Sequence, residues 1–265
     1  MSTLRPQSGQ DLLVRGWLEE DRAQLQGWRN QSGTPLSLPP AKPEEGSFQA
    51  EGEWLVLADA ASALPQACLR LVPRLGLQMP RYSFHLGRVV HAAAELGLFR
   101  AQSTLMLGND HTGESELADL ACAPGLDAAA QEALLSKLIQ AALLRIAESN
   151  ETWGERLIVE LAGPRDPLSG VSPFWQGLGA HFYVGDPLTA QSRLGAAWRS
   201  HLAALLPRQT VYLSFLSEAA QAAAGQVGLA GLSAARALAA QGFGPSQHIA
   251  IDDGGPVWEL RLTKP

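Results

Sequence analysis

The stretch LGNDHTGESEL at residues 107–117 sets Asn109, Asp110, His111, Thr112, Gly113 and Glu114 side by side between apolar neighbours. An imidazole that titrates near neutrality can pass a proton, and flanking amide and carboxylate groups can orient it or bind a polar ligand. The same residues also make a plain turn, because Asn, Asp and Gly tolerate the backbone that turns require. Both readings stand on the sequence. Glu160, inside the apolar run RLIVELAG, raises a second question. A buried carboxylate needs a partner, either a cationic substrate or an internal arginine such as Arg165. His91 in VVHAAA is a half-buried histidine satisfied by backbone or, equally, a ligand contact. In IDDGGP, mostly a turn, Asp252 is the leading functional candidate.

The elements that position these residues follow from periodicity. Apolar residues at Leu12, Leu13, Trp17, Leu18 and Leu25 predict helical turns within 11–28. Residues 30–52, rich in Pro, Gly, Ser and Glu, read as a loop. Strands are expected at 53–60, 63–72, 82–93, 103–109, 115–123, 156–163 and 210–216. The clearest helix spans 127–150, with Asp127 as N-cap and Leu134, Leu138, Ala142 and Ile146 on one face. Ser172 and the following proline open another at 172–179, and further helices are expected over 188–206 and 232–243. A hairpin around Gly254 and Gly255 closes the chain at 248–262. Alternation of this kind predicts an α/β (α+β) fold, a mixed sheet flanked by helices.

Composition narrows the function classes. The chain has 265 residues, 46% hydrophobic and only 17% charged, with a formal net charge of -6. That balance lacks the basic face a nucleic-acid binder needs. Cys68 and Cys122 have no CxxC spacing, which predicts reduced thiols and no metal site. No apolar run reaches the roughly 18–20 residues of a membrane span, and the first residues carry no secretory signal, so the cytoplasm is expected. Dinucleotide, P-loop, zincin and nucleophile-elbow motifs are all missing.

The ordered segments PRYSFHLGRVVHAAAELGLF, LMLGNDHTGESEL, LLSK, VELAGPRDPLSGVSPFWQGLGAHFY, LSEAAQAAAGQV, ARALAAQGF and IDDGGP resemble the arginine N-succinyltransferase family. The resemblance covers about Pro80 to Pro256. It implies a GNAT-like acyl-CoA N-acyltransferase fold over a single region, 1–265, divisible into two packed sub-domains near 165–185. It also implies transfer of a succinyl group from succinyl-CoA, a co-substrate and not a resident cofactor, to the α-amine of arginine or a similar amino acid in arginine catabolism. Leu120 stands where the family contacts succinyl-CoA. His91, Asn109, His111, Glu160 and Asp252 are the expected substrate-binding residues, with Asp166 and Asp253 as further candidates.

Four departures from the family accompany the resemblance, one of them a short N-terminal part in which the family's Gly-rich entry before SLP becomes SGTPLSLPP. The CoA loop reads PGLDAAAQEALLSK, with Ala128, Ala129 and Ala130 where glycines would let backbone approach a diphosphate. Gly228 follows Gly-Gln-Val where the family carries a proton-donating histidine. The family's small β-rich C-terminal extension is expected to be absent after DGGPVWELRL. These departures keep a second function open, a non-catalytic paralogue acting as a ligand-binding or partner subunit in a homo- or hetero-oligomer. No nucleic acid or membrane partner is expected.

Overall fold

The chain enters its sheet directly. The computed structural model describes residues 11–39, 52–149 and 153–262. β1 (Leu12–Gly16) occupies part of the stretch expected to be helical, and only α1 (Asp21–Leu25) is a helix there. The helical reading counted Leu13 and Leu18 as core residues, yet both are exposed. What prevails is the two-residue alternation of a strand, with Leu12 and Val14 half-buried as β1 pairs antiparallel to β2 (Glu53–Asp59). Arg15 then ties the strand to the helix by donating two bonds of 2.7 Å to Asp21. The loop expected over 30–52 lies outside the described residues from 40 to 51.

The next elements are β3 (Pro65–Val72), β4 (Ser83–Ala93), β5 (Leu98–Gly108), β6 (Ser115–Cys122), α2 (Ala128–Glu148) and β7 (Arg156–Glu160). They are followed by α3 (Pro173–Gly177), α4 (Pro187–Leu194), α5 (Trp198–Leu205), β8 (Val211–Tyr212), α6 (Glu218–Ala223), α7 (Leu232–Ala240), β9 (Gly244–Ile249) and β10 (Pro256–Arg261). The helix expected over 188–206 is two helices. Gly195 breaks it at φ 57°, ψ −142°, a conformation that residues with a Cβ avoid. The strand expected at 210–216 shortens to β8, and a 3-10 turn takes up Leu213–Phe215.

Among the described residues the strands form one ten-stranded sheet in the order β1-β2-β3-β6-β7-β10-β9-β4-β5-β8. β6 and β7 are parallel neighbours, paired only at Ser115 with Leu157 and Glu116 with Ile158. Beyond that rung the two strands part. α2 and α7 cover one stretch of sheet, burying Leu134, Leu138, Ala142 and Ile146 against Leu57, Leu69, Leu117 and Leu157. The helix face legible in the sequence is therefore the buried one, and Asp127 caps it by accepting from the Ala130 amide at 2.8 Å. Each leucine so buried is worth about 2 kcal/mol. A second core gathers Phe174, Trp175, Trp198 and Leu202 over Phe84, Leu105 and Ile249. Ser172 caps α3 through the Trp175 amide, as its Ser-Pro start implied.

Candidate active site at a parting of strands

The site begins with a defect in β6. The rungs Cys68–Ala121 and Arg70–Ala118 leave two residues, Asp119 and Leu120, opposite Leu69. This is a β-bulge, which turns backbone groups out of the ladder. Asp119 carries it at φ 54°, unusual for a residue with a Cβ. Its carboxylate accepts from Arg70 Nε at 2.8 Å, which holds the strained residue in place. The bulge falls where β6 has already left β7.

A cavity of about 730 Å³ opens over this parting. Leu120, Glu116, Glu160 and Asp252 line it from the sheet side. The segment 30–38 forms one wall, and the break at Gly195 brings the start of α5, with Arg199, to another. Gln31 ties the first wall down by donating from Nε2 to the Glu160 carbonyl at 2.6 Å.

Inside, two guanidinium groups meet three carboxylates. Arg81 donates to Glu160 (Nε–Oε1 3.1 Å) and to Glu116 (Nη2–Oε1 2.8 Å), and Arg199 Nη2 lies 2.8 Å from Glu160 Oε2 and 3.4 Å from Asp252 Oδ1. Burial alone would raise the Glu160 carboxyl, but Arg199 and Arg81 outweigh it and hold the group down at about 2. Glu116 goes the other way. Burial raises it above the ordinary range despite Arg81, and the nearby Glu160 charge adds to the rise. Asp253, next to Asp252, is pushed up to about 6 by burial and by that neighbour. The cavity lining carries four acidic side chains, Glu116, Asp119, Glu160 and Asp252, against three arginines, Arg70, Arg81 and Arg199, an excess of one acidic group that favours a cationic guest.

The residues singled out from sequence divide clearly. Leu120, Glu160 and Asp252 line the cavity together. Glu160 has the internal arginine partners that its burial called for, but they are Arg81 and Arg199. Arg165 lies instead beside Asp253, at 3.8 Å. The NDHTG segment is a turn, closed by the Thr112 amide donating to the Asn109 carbonyl. Asn109 is exposed at that turn, whereas His111 is buried behind the cavity wall with its ring centroid 4.3 Å from that of His248. His248 Nε2 lies 3.1 Å from Asp110. His91 lies on the exposed end of β4 against Tyr212, about 20 Å along the strand from His85. Asp166 closes its own surface loop by accepting from Ser169. Gly228 is packed against backbone, its amide donating to the Ala162 carbonyl at 2.7 Å. An added Cβ there would lie 2.2 Å from the Gly163 carbonyl oxygen. Arg81, Arg199, Glu116 and the Arg70–Asp119 pair were not singled out from sequence. Among the described residues no cluster of three or more His, Cys, Asp or Glu is placed to hold a metal.

His111 makes the fold acid-sensitive in a defined window. Burial, and then the neighbouring His248, push its imidazole down from 6.5 to about 4. Between those values the unfolded chain takes up a proton that the folded chain refuses, so stability is full above pH 6.5 and falls as pH drops toward 4. Urea unfolding across this range is expected to show a loss of up to ~3 kcal/mol, which a His111→Asn variant flattens.

The family described as arginine N-succinyltransferase beta subunit matches residues 18–264. Curated arginine N-succinyltransferases of Salmonella paratyphi B and Salmonella newport are each 35% identical to this chain over 214 residues. The match takes in 81% of this chain and 61% of theirs, so the chain spans about three fifths of those relatives. The solved arginine/ornithine succinyltransferase subunit AI from Pseudomonas aeruginosa superposes with a TM-score of 0.72 at 26% identity, covering 96% of this chain and 77% of that one. The fold is accordingly the mixed α/β, GNAT-like one that the motifs implied. With nearly the whole of its own length matched by the family, this chain belongs to the arginine N-succinyltransferase family.

Proposed function

We propose that this chain transfers an acyl group, succinyl, from an acyl-CoA to the α-amine of arginine or a similar basic amino acid. The observation that carries the reading is the bulge at Asp119–Leu120 opening, where β6 and β7 part, into a cavity with more carboxylates than arginines. In this reading the backbone at Leu120 receives the thioester carbonyl and polarises it, which needs only amide donors turned out of the ladder. Glu160 and Asp252, fixed in place by Arg199, face the cationic end of the acceptor. The substrates are small and water-soluble, and the reading takes the cytoplasm as the compartment. No helix among the described residues is long and apolar enough to cross a membrane.

The nucleotide end is less well furnished. The positive end of α2 is already satisfied by the Asp127 carboxylate, which places a negative charge where a diphosphate would approach. Asp127→Asn keeps the cap and removes the charge. It is expected to tighten succinyl-CoA roughly 2–5-fold, with arginine affinity unchanged, as read by isothermal titration.

The same Asp127 and the tightly packed Gly228 favour a second reading, a non-catalytic partner subunit that keeps the amino-acid cavity. Titration of the wild-type chain separates the two. Heat from both succinyl-CoA and arginine supports the transferase. Clear heat from arginine with none from succinyl-CoA overturns it in favour of the partner subunit.

A further inference from the structure

A succinyl thioester differs from other short acyl donors by its terminal carboxylate, and a cavity with surplus acid must offer that anion a cation. Three arginines line the cavity, and they are not equally occupied. Arg70 is bound to Asp119 and serves the bulge. Arg81 closes its fork on Glu160, with Nε 3.1 Å from Oε1 and Nη2 2.6 Å from Oε2, and the same Nη2 reaches Glu116. Arg199 makes both of its ion pairs through Nη2, 2.8 Å from Glu160 and 3.4 Å from Asp252. Its Nε is sealed in the protein without a partner. Its Nη1 donates no hydrogen bond among the described residues and is not among the sealed atoms. That nitrogen is therefore open at the cavity that Arg199 lines.

The guanidinium is also held still. Its Cζ lies 4.8 Å from the Trp198 ring centroid, so the indole covers one face while Glu160 and Asp252 fix one edge. A planar group fixed in this way loses little freedom on taking one more acceptor. The reach is suitable as well. Glu160 lies two residues beyond Ile158, the rung partner of Glu116. It therefore stands level with Ala118, about 7 Å short of Leu120 along the strand. Two methylenes carry the succinyl carboxylate about 5 Å from the thioester carbon, and a charge-assisted hydrogen bond adds about 3 Å.

We propose that Arg199 is the specificity residue for the acyl donor, its Nη1 taking the terminal carboxylate of the succinyl group. The assignment rests on the transferase reading above. The cationic end of the acceptor, facing Glu160 and Asp252 beside it, offsets the added anion.

Butyryl-CoA is the informative probe, because it has a methyl group where succinyl-CoA has the carboxylate. With arginine as acceptor, the wild-type chain is expected to favour succinyl-CoA over butyryl-CoA about 100-fold in kcat/KM. Arg199→Lys keeps a positive charge beside Glu160 and Asp252, so the fold should survive, but its ammonium has no second nitrogen to offer. The variant should lose about tenfold or more with succinyl-CoA and stay within about twofold with butyryl-CoA. Its dissociation constant for arginine should change by less than about threefold. A purely structural role would lower both donors alike. A wild-type chain that uses the two donors equally, or a variant that loses equally on both, overturns the assignment. Agmatine, which is arginine without its carboxylate, tests the other source of an anion. If Arg199→Lys abolishes a preference for arginine over agmatine and leaves the donor preference intact, the carboxylate belongs to the acceptor and the assignment falls. No turnover with either donor overturns the transferase reading, whereas turnover without donor preference overturns Arg199 alone.

Discussion

Glu160→Leu should lower the folding free energy by about 3 kcal/mol and, under the proposed function, abolish arginine binding. The side chain is the anion that Arg81 and Arg199 share, and it sits at the end of β7 where the strands have parted. Removing it leaves two largely buried guanidinium groups with only Glu116 and Asp252 to answer them. An apolar replacement costs most when it breaks one partner of such a cluster and spares the rest. The pH dependence should change as well. The native carboxyl is held at about 2 against an ordinary 4.5, so its contribution is complete above pH 4.5 and fades as pH falls toward 2. Urea unfolding of wild type and variant between pH 7 and 3 is expected to converge on acidification. Parallel curves separated by a constant gap would mean that Glu160 acts through packing and not through charge.

Gly228→His, which supplies the histidine that the family resemblance implies here, should destabilise the chain by about 3 kcal/mol or more and bring no gain in activity. The obstacle is backbone. A Cβ at residue 228 would lie 2.2 Å from the Gly163 carbonyl oxygen and 2.7 Å from its carbon. Those atoms are held by the Gly228 amide on the Ala162 carbonyl and by the Gly163 amide on Asp253. No rotamer relieves a clash made at Cβ. Thermal unfolding of Gly228→Ala isolates the effect, since it carries the same first carbon and no imidazole. A variant as stable as wild type would show that this close approach relaxes freely.

Much of this arrangement is visible in the linear chain, and the remainder is hidden for identifiable reasons. The α2 face reads off its leucines, and Asp127 and Ser172 announce two helix starts because capping is local chemistry. Glu160 declares itself as a carboxylate in an apolar strand, and Leu120 and Asp252 enter through the family motifs. What sequence spacing could not supply is the set of partners. Arg81 lies just ahead of β4 and Arg199 opens α5, so only the folded sheet brings both to Glu160. Glu116 is masked by ordinary strand alternation in ESEL. A buried acid there calls for a cation, although nothing in the sequence says which arginine answers. Gly195 hid the break between α4 and α5 because its neighbours continue a helical pattern. Leu13 and Leu18 misdirected the reading of 11–18, where exposed leucines imitated a helix face.

A transfer assay tests the proposed reaction directly. Wild-type chain is incubated with succinyl-CoA and arginine, and the amino acid is followed by mass spectrometry alongside release of free thiol. Arginine carrying one succinyl group on its α-nitrogen is the expected product, formed in step with thiol and lost in Glu160→Leu. Release of thiol without acylated arginine, or no product in the presence of demonstrable arginine binding, would contradict it and leave the cavity as an amino-acid site on a partner subunit.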